Sequence, residues 1–139
     1  GPQIDAMVDA FGRTGEQLLV DLTSHEFDVR HALGRPGPKD LPVWDIAADF
    51  GVTMLLASSV ERHGLGPMAV LAGGRSWQVG GDGEPQATLT TSPFELVRAL
   101  MGRRSAAQVA HMGWSGWPAP YIQAFENDLF HFAASDILE

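Results

Sequence analysis

The chain has 139 residues and a net charge of −8, from 17 Asp and Glu against 9 Lys and Arg; this disfavours a nucleic-acid partner, since phosphate binding needs clustered Lys and Arg. It has no cysteine, which excludes disulfides, thiolate metal sites and cysteine nucleophiles. The length suits one domain or two small pieces sharing a core, and the lack of a leader or long apolar run reads as a soluble, cytoplasmic protein with no membrane partner. Gly1-Pro2 is the pair that tag removal commonly leaves. Ile4, Met7, Val8 and Phe11 predict a first helix over about 3–11. Thr14 predicts the N-cap of a second, with Glu16 and Gln17 in its first turn. That helix runs to Leu33, where Gly34 supplies a left-handed stop and Pro36 follows. Pro38 to Pro42 is a linker, and a third helix spans about 42–62 with Val43, Ile46, Ala47, Phe50, Met54 and Leu55 along one side. Beyond His63-Gly-Leu-Gly-Pro67, the stretch Met68 to Ala72, Gly73-Gly74 and Ser76 to Val79 reads as a hairpin. A strand follows at about 86–91. Ser92 or Thr91 caps a helix that opens on Pro93 and stops at Gly102. A short helix at 105–111, an aromatic, Pro-containing loop at 114–120, helix at 120–127 and a last strand at 129–132 complete the chain. The fold class is α+β, with a helical part over 1–63 and a small α/β part over 64–139.

The second helix carries the most informative chemistry. With Leu18 at zero and 100° per residue, Leu22, His25, Val29 and Leu33 fall within about 60° of it. His25 thus sits in the middle of an apolar stripe, with Asp21 four residues before and Asp28 three residues after, both at its edge. Burying an imidazole costs free energy unless it finds a partner. Two readings follow: a core histidine satisfied by a hydrogen bond, or Asp21 and His25 as joint ligands of a divalent metal, with Asp28 orienting them from behind. Zinc usually takes three protein ligands; the candidates for the third are His63, a residue on another chain segment, and His31, which points well away from the stripe and is the poorest of them. Arg30 either pairs with Glu26 across one turn or binds an anionic substrate. Arg98, Arg103 and Arg104 form the one dense basic cluster. They either bind carboxylates, or Arg103, just past Gly102, neutralises a helix C-terminus. Trp77, Trp114, Trp117 and Tyr121 line a pocket or cap a small core. The glycines at 73, 74, 80, 81 and 83 read as hairpin turns, since no Gly-Lys-Ser/Thr follows them.

The run His25-Glu-Phe-Asp-Val-Arg-His-Ala-Leu-Gly-Arg-Pro-Gly37 resembles a segment of the mycothiol-dependent maleylpyruvate isomerase family. So do Ser92-Pro-Phe-Glu-Leu-Val-Arg-Ala-Leu-Met-Gly-Arg-Arg-Ser-Ala-Ala-Gln108 and Trp114-Ser-Gly-Trp-Pro-Ala-Pro-Tyr121. The matches fall in the family's order and together span most of the chain, from His25 to Tyr121. The resemblance implies a DinB-like helical bundle followed by a small sterol-carrier-like α/β domain. It implies a divalent metal, zinc being the expected ion, held by a carboxylate and a histidine four residues apart plus a histidine from an earlier helix. Asp21 and His25 match the first two positions, although the family often has Glu at the first. The cofactor implied is mycothiol or a similar small thiol, kept as thiolate by the metal. The activity implied is isomerisation or S-transfer on a small-molecule substrate, with Arg30 and Arg103 as anion contacts. The earlier helix is not in this sequence, so the chain reads as the C-terminal part of such a protein, a short member, or a fragment completed by an upstream segment or a second copy. The competing expectation is a non-catalytic binding or dimerisation module, holding an apolar small molecule or burying an exposed apolar face.

Overall fold

The computed structural model describes the backbone of residues 2–139 and the side chains of residues 15–139. The two helices expected on either side of Thr14 are one long helix, α1 (Pro2–Ala32). The capping role of Thr14 and the facing of Ile4, Met7, Val8 and Phe11 lie outside the described side chains. The helix stops as expected: Gly34 adopts a φ of 69°, and the Gly34 and Arg35 amides bond back to the carbonyls of His31 and Arg30, satisfying carbonyls that the last turn leaves open.

The predicted 42–62 helix is continuous but not uniform. It opens as α2 (Pro42–Phe50), widens into a π-helical stretch (Gly51–Leu56) and closes as α3 (Ala57–Arg62). By length and composition, Pro42–Arg62 is apolar enough to cross a membrane, contrary to the expectation of no such run. In this fold it is the central core helix: Ala48, Val52, Leu56 and Val60 are fully buried. At Gly51 a Cβ would lie 3.0 Å from the Leu100 side chain, so the glycine lets a neighbouring helix approach.

The strands β1 (Met68–Ala72) and β2 (Arg75–Val79) form the expected hairpin, closed by Gly73 and Gly74 with φ of 59° and 79°. β3 (Ala87–Thr91) lies parallel to β1. A fourth strand, β4 (Gly113–Gly116), pairs antiparallel with β3, giving the order β2-β1-β3-β4. β4 falls where the sequence predicts a loop. Its two glycines are there for contact: a Cβ would sit 2.3 Å from the Thr90 carbonyl oxygen at Gly113 and 2.5 Å from that of Gln86 at Gly116. Met68, Val70, Ala72, Ala87 and Leu89 point into the core, while Leu71, Ser76, Gln78 and Thr90 stand on the open face, the two-residue alternation of a half-covered sheet.

α4 (Pro93–Leu100) is capped by Ser92, whose hydroxyl accepts from the Glu95 amide at 3.1 Å. α5 (Ala106–Ala110) carries a full capping box between Ser105 and Gln108. α6 (Ala119–Ile122) runs into a 3-10 turn (Gln123–Phe125). The strand expected at 129–132 does not form. Buried Asn127 takes the donors a ladder would use: its Oδ1 accepts from the Leu129 and Phe130 amides, while its Nδ2 donates to the Leu100 carbonyl at 2.8 Å. The result is a mixed α+β fold. Its core draws on both halves of the chain: Phe27, Trp44 and Phe94 meet ring to ring with centroids 4.8–5.7 Å apart.

Candidate functional site

α1 buries a mixed apolar and polar face. Val20, Ser24 and Phe27 are buried at 1–3% exposure, and Asp28 borders them. The apolar stripe lies about 180° round the helix and faces solvent: Leu18, Leu22, Val29 and Leu33 are 57–70% exposed. His25, in the middle of that stripe, has a side chain 72% exposed, so the reading of His25 as a core histidine does not hold. Its Nδ1 lies 4.0 Å from Asp28 Oδ2. Asp21 sits half-buried one turn earlier, on the same edge of the helix. Among the described residues, no group of three or more His, Asp or Glu side chains is placed to hold a metal. Asp21 and His25 therefore stand as two donors on an open helix face.

Asp28 turns inward instead. Its carboxylate accepts from Arg98 Nη2 at 2.6 Å and Arg103 Nη2 at 2.7 Å. Arg98 comes from α4, is 1% exposed, and also donates through Nη1 to Ser24 Oγ at 3.1 Å. From its other edge Arg98 grips Glu139, Nε to Oε1 at 2.9 Å and Nη2 to Oε2 at 2.8 Å. Arg104 donates to the same Glu139 at 2.6 Å and to both oxygens of Glu95 at 2.9 Å. Three guanidiniums and three carboxylates thus interlock, and each carboxylate is reached by at least one arginine fork. The Arg98 guanidinium also lies 5.2 Å from the Phe27 ring centroid, and that of Arg104 5.9 Å from Phe94. Burial alone would raise the carboxyls of Asp28 and Glu139. The bonds and charges of Arg103 and Arg98 on the first, and of Arg98 and Arg104 on the second, outweigh it and hold both below the usual carboxylate range. No buried side-chain nitrogen or oxygen among the described residues lacks a partner.

The remaining predicted positions separate. Arg30 pairs with Glu26 at 2.9 Å on the surface, one of the two roles foreseen for it. It also borders a recess of about 70 Å³ beside Phe27, Pro38, Leu41 and Trp44. Arg103 donates to the Met101 carbonyl at 2.6 Å, in its expected place at the end of α4, and the carboxylate it binds is that of Asp28 and not of a substrate. The aromatic residues do not line one pocket. Trp114 donates to the Val109 carbonyl and packs edge-on against Phe125, and Trp117 is 61% exposed. Tyr121 is fully buried and donates to the Gly66 carbonyl at 2.8 Å; burial raises its pKa, which keeps it a donor. The residues that sequence reasoning missed are Glu139 and the buried role of Arg98. The available signal was the Arg98, Arg103, Arg104 cluster itself, because three close cations in an acidic chain need carboxylates.

No protein-family model matches the chain, and no curated protein or solved structure gives a match.

Proposed function

We propose that the outward face of α1 is the functional surface, and that the chain works as a metal- and thiol-dependent isomerase or S-transferase of the maleylpyruvate isomerase type. In this reading α1 is one helix of a DinB-like bundle and the sheet with its helices is the sterol-carrier-like part. The observation that supports it is the exposure of His25, with Asp21 one turn before it, inside a stripe of exposed Leu and Val. Residues 18, 22, 25 and 29 are spaced 4-3-4, the spacing of a seam between helices. A monomer that leaves such a stripe in water has a surface that favours a partner. Two donors are fewer than the three that zinc usually needs, so Asp21 and His25 are part of a ligand set, and helices laid on the stripe would supply the rest. These come from an upstream segment or a second copy. When bound, the metal would keep a mycothiol-like thiol ionised. Arg30, at the far edge of the same helix, is the side chain nearest to serving an anionic substrate: its pair with Glu26 is exposed, whereas Arg103 is held by Asp28 within the network.

A second reading draws on the same stripe. If the face only joins helices, the chain is a binding or dimerisation module and His25 is a seam residue without a metal. The test is metal content after equilibration with zinc or nickel, together with molar mass by light scattering. A stoichiometric ion lost in both Asp21→Ala and His25→Ala supports the enzyme. A metal-free protein whose association is unchanged in His25→Ala overturns it and leaves the module.

A further inference from the structure

The segment 133–139 is held to the protein by polar contacts. None of its residues belongs to the buried core, and Leu138 is 81% exposed. Its attachments are the Ala133 amide to the Arg104 carbonyl, Ser105 to Asp136, a paired bond between Gln108 and the main chain of Ile137, Lys39 to the Glu139 main-chain oxygen, and the Glu139 side chain. That side chain is nevertheless 0% exposed, and the Arg98 and Arg104 side chains that receive it are 2% and 5% exposed.

The receiving site does not need Glu139 in order to be built. Arg98 is fixed from its other side by Asp28 and Ser24. Arg104 is fixed by Glu95, by the Arg103 carbonyl at 2.7 Å and by the Phe94 ring. Taking Glu139 away leaves three guanidiniums facing two carboxylates, one buried positive charge in excess. Such a charge is costly until an anion replaces the one removed. The planar fork of Arg98, with Nη1 of Arg104 beside it, matches a carboxylate in shape and charge.

We propose that Arg98 and Arg104 form a carboxylate-binding site in which Glu139 is a resident, exchangeable ligand, so that lifting the 133–139 strap opens the site to a small organic carboxylate. Release of the strap costs hydrogen bonds, which water can replace, and the two ion pairs of Glu139 with Arg98 and Arg104, which an incoming carboxylate can replace. The site does not depend on a metal at His25.

The test uses Glu139→Ala with sodium formate or acetate, against sodium chloride and sodium sulfate at matched ionic strength. The variant melts below the wild type in chloride, and formate or acetate raises its melting temperature with a saturable dependence that chloride and sulfate do not reproduce. In the wild type, acetate speeds hydrogen exchange of the Ile137 amide about tenfold relative to chloride, because the strap opens. Equal effects of carboxylate and chloride on the variant, or an Ile137 amide indifferent to acetate, overturn the proposal. Where Glu139→Ala does not fold, Glu139→Gln and the wild-type exchange measurement distinguish the same two outcomes.

Discussion

The two faces of α1 divide its polar and apolar groups unusually. The inner face carries Ser24 and Asp28 beside the apolar Val20 and Phe27, and the outer face carries Leu18, Leu22, Val29 and Leu33. The inner polar groups are tolerated because Arg98 and Arg103 satisfy them with charge-assisted bonds of 2.6–3.1 Å, while Phe27 adds ring contacts beside them. The outer face has nothing comparable. A helix can thus be fixed in place by buried polar contacts and two apolar side chains and still leave a stripe of Leu and Val exposed along its described part.

The most severe challenge to this contrast is to remove the arginine that anchors the inner face. Arg98→Met leaves Asp28 with Arg103 alone and Glu139 with Arg104 alone. Loss of one partner from a buried ionic group costs about 3–5 kcal/mol. Urea unfolding should therefore show a loss of about 3 kcal/mol or more, and a loss below about 1 kcal/mol would mean that α1 is held by something else.

Acid tests the same face more gradually. Asp28 and Glu139 have folded pKa values below their unfolded ones, so at low pH the unfolded chain takes up protons first. Their stabilisation is complete above the ordinary carboxylate range, near pH 4, and is lost as pH falls through the folded values. Unfolding free energy should be flat in this contribution near neutrality and fall below about pH 4, with a shallower fall in Asp28→Asn. An identical slope in that variant would show that Asp28 contributes nothing to the acid response.

Smaller still is Ser24→Ala, which takes one acceptor from Arg98 and should cost about 1 kcal/mol in denaturant unfolding. At the bottom of the scale is the outer face. Leu22→Ser should change the stability of the isolated chain by no more than about 0.5 kcal/mol, while lowering any association seen by light scattering. A core-sized loss of about 2 kcal/mol or more would show that the stripe is buried after all.

Punctuation was the most legible part of the fold. Ser92, Pro93 and Gly102 bounded α4, Gly34 ended α1, and Gly73-Gly74 closed the hairpin, because each acts through its own backbone and near neighbours. What depended on distant partners was hidden. The helical wheel located the stripe of α1 correctly, but periodicity reports which residues are apolar and not what covers them. Ser24 and Asp28 are paired with residues 70 or more positions away, which no local pattern reveals. β4 was concealed because Gly113 and Gly116, which usually signal a loop, are needed for close approach to β3. The 129–132 strand was a false signal, since an extended apolar stretch reads as a strand whether a neighbouring strand or the Asn127 side chain takes its amides. Of the candidate site, Asp21, His25 and Asp28 were legible as neighbours on one helix. The division of labour among them, with Asp28 inward and His25 outward, was not.

The absence of cysteine allows a direct measurement of which face of α1 is covered. Single variants Val20→Cys and Leu22→Cys, two residues apart on opposite sides of the helix, can be titrated with a thiol reagent on dilute, folded protein. Leu22→Cys should react at nearly the rate of a free thiol, and Val20→Cys should be protected until the protein unfolds. Rapid reaction of Val20→Cys with protection of Leu22→Cys would contradict the assignment of inner and outer faces.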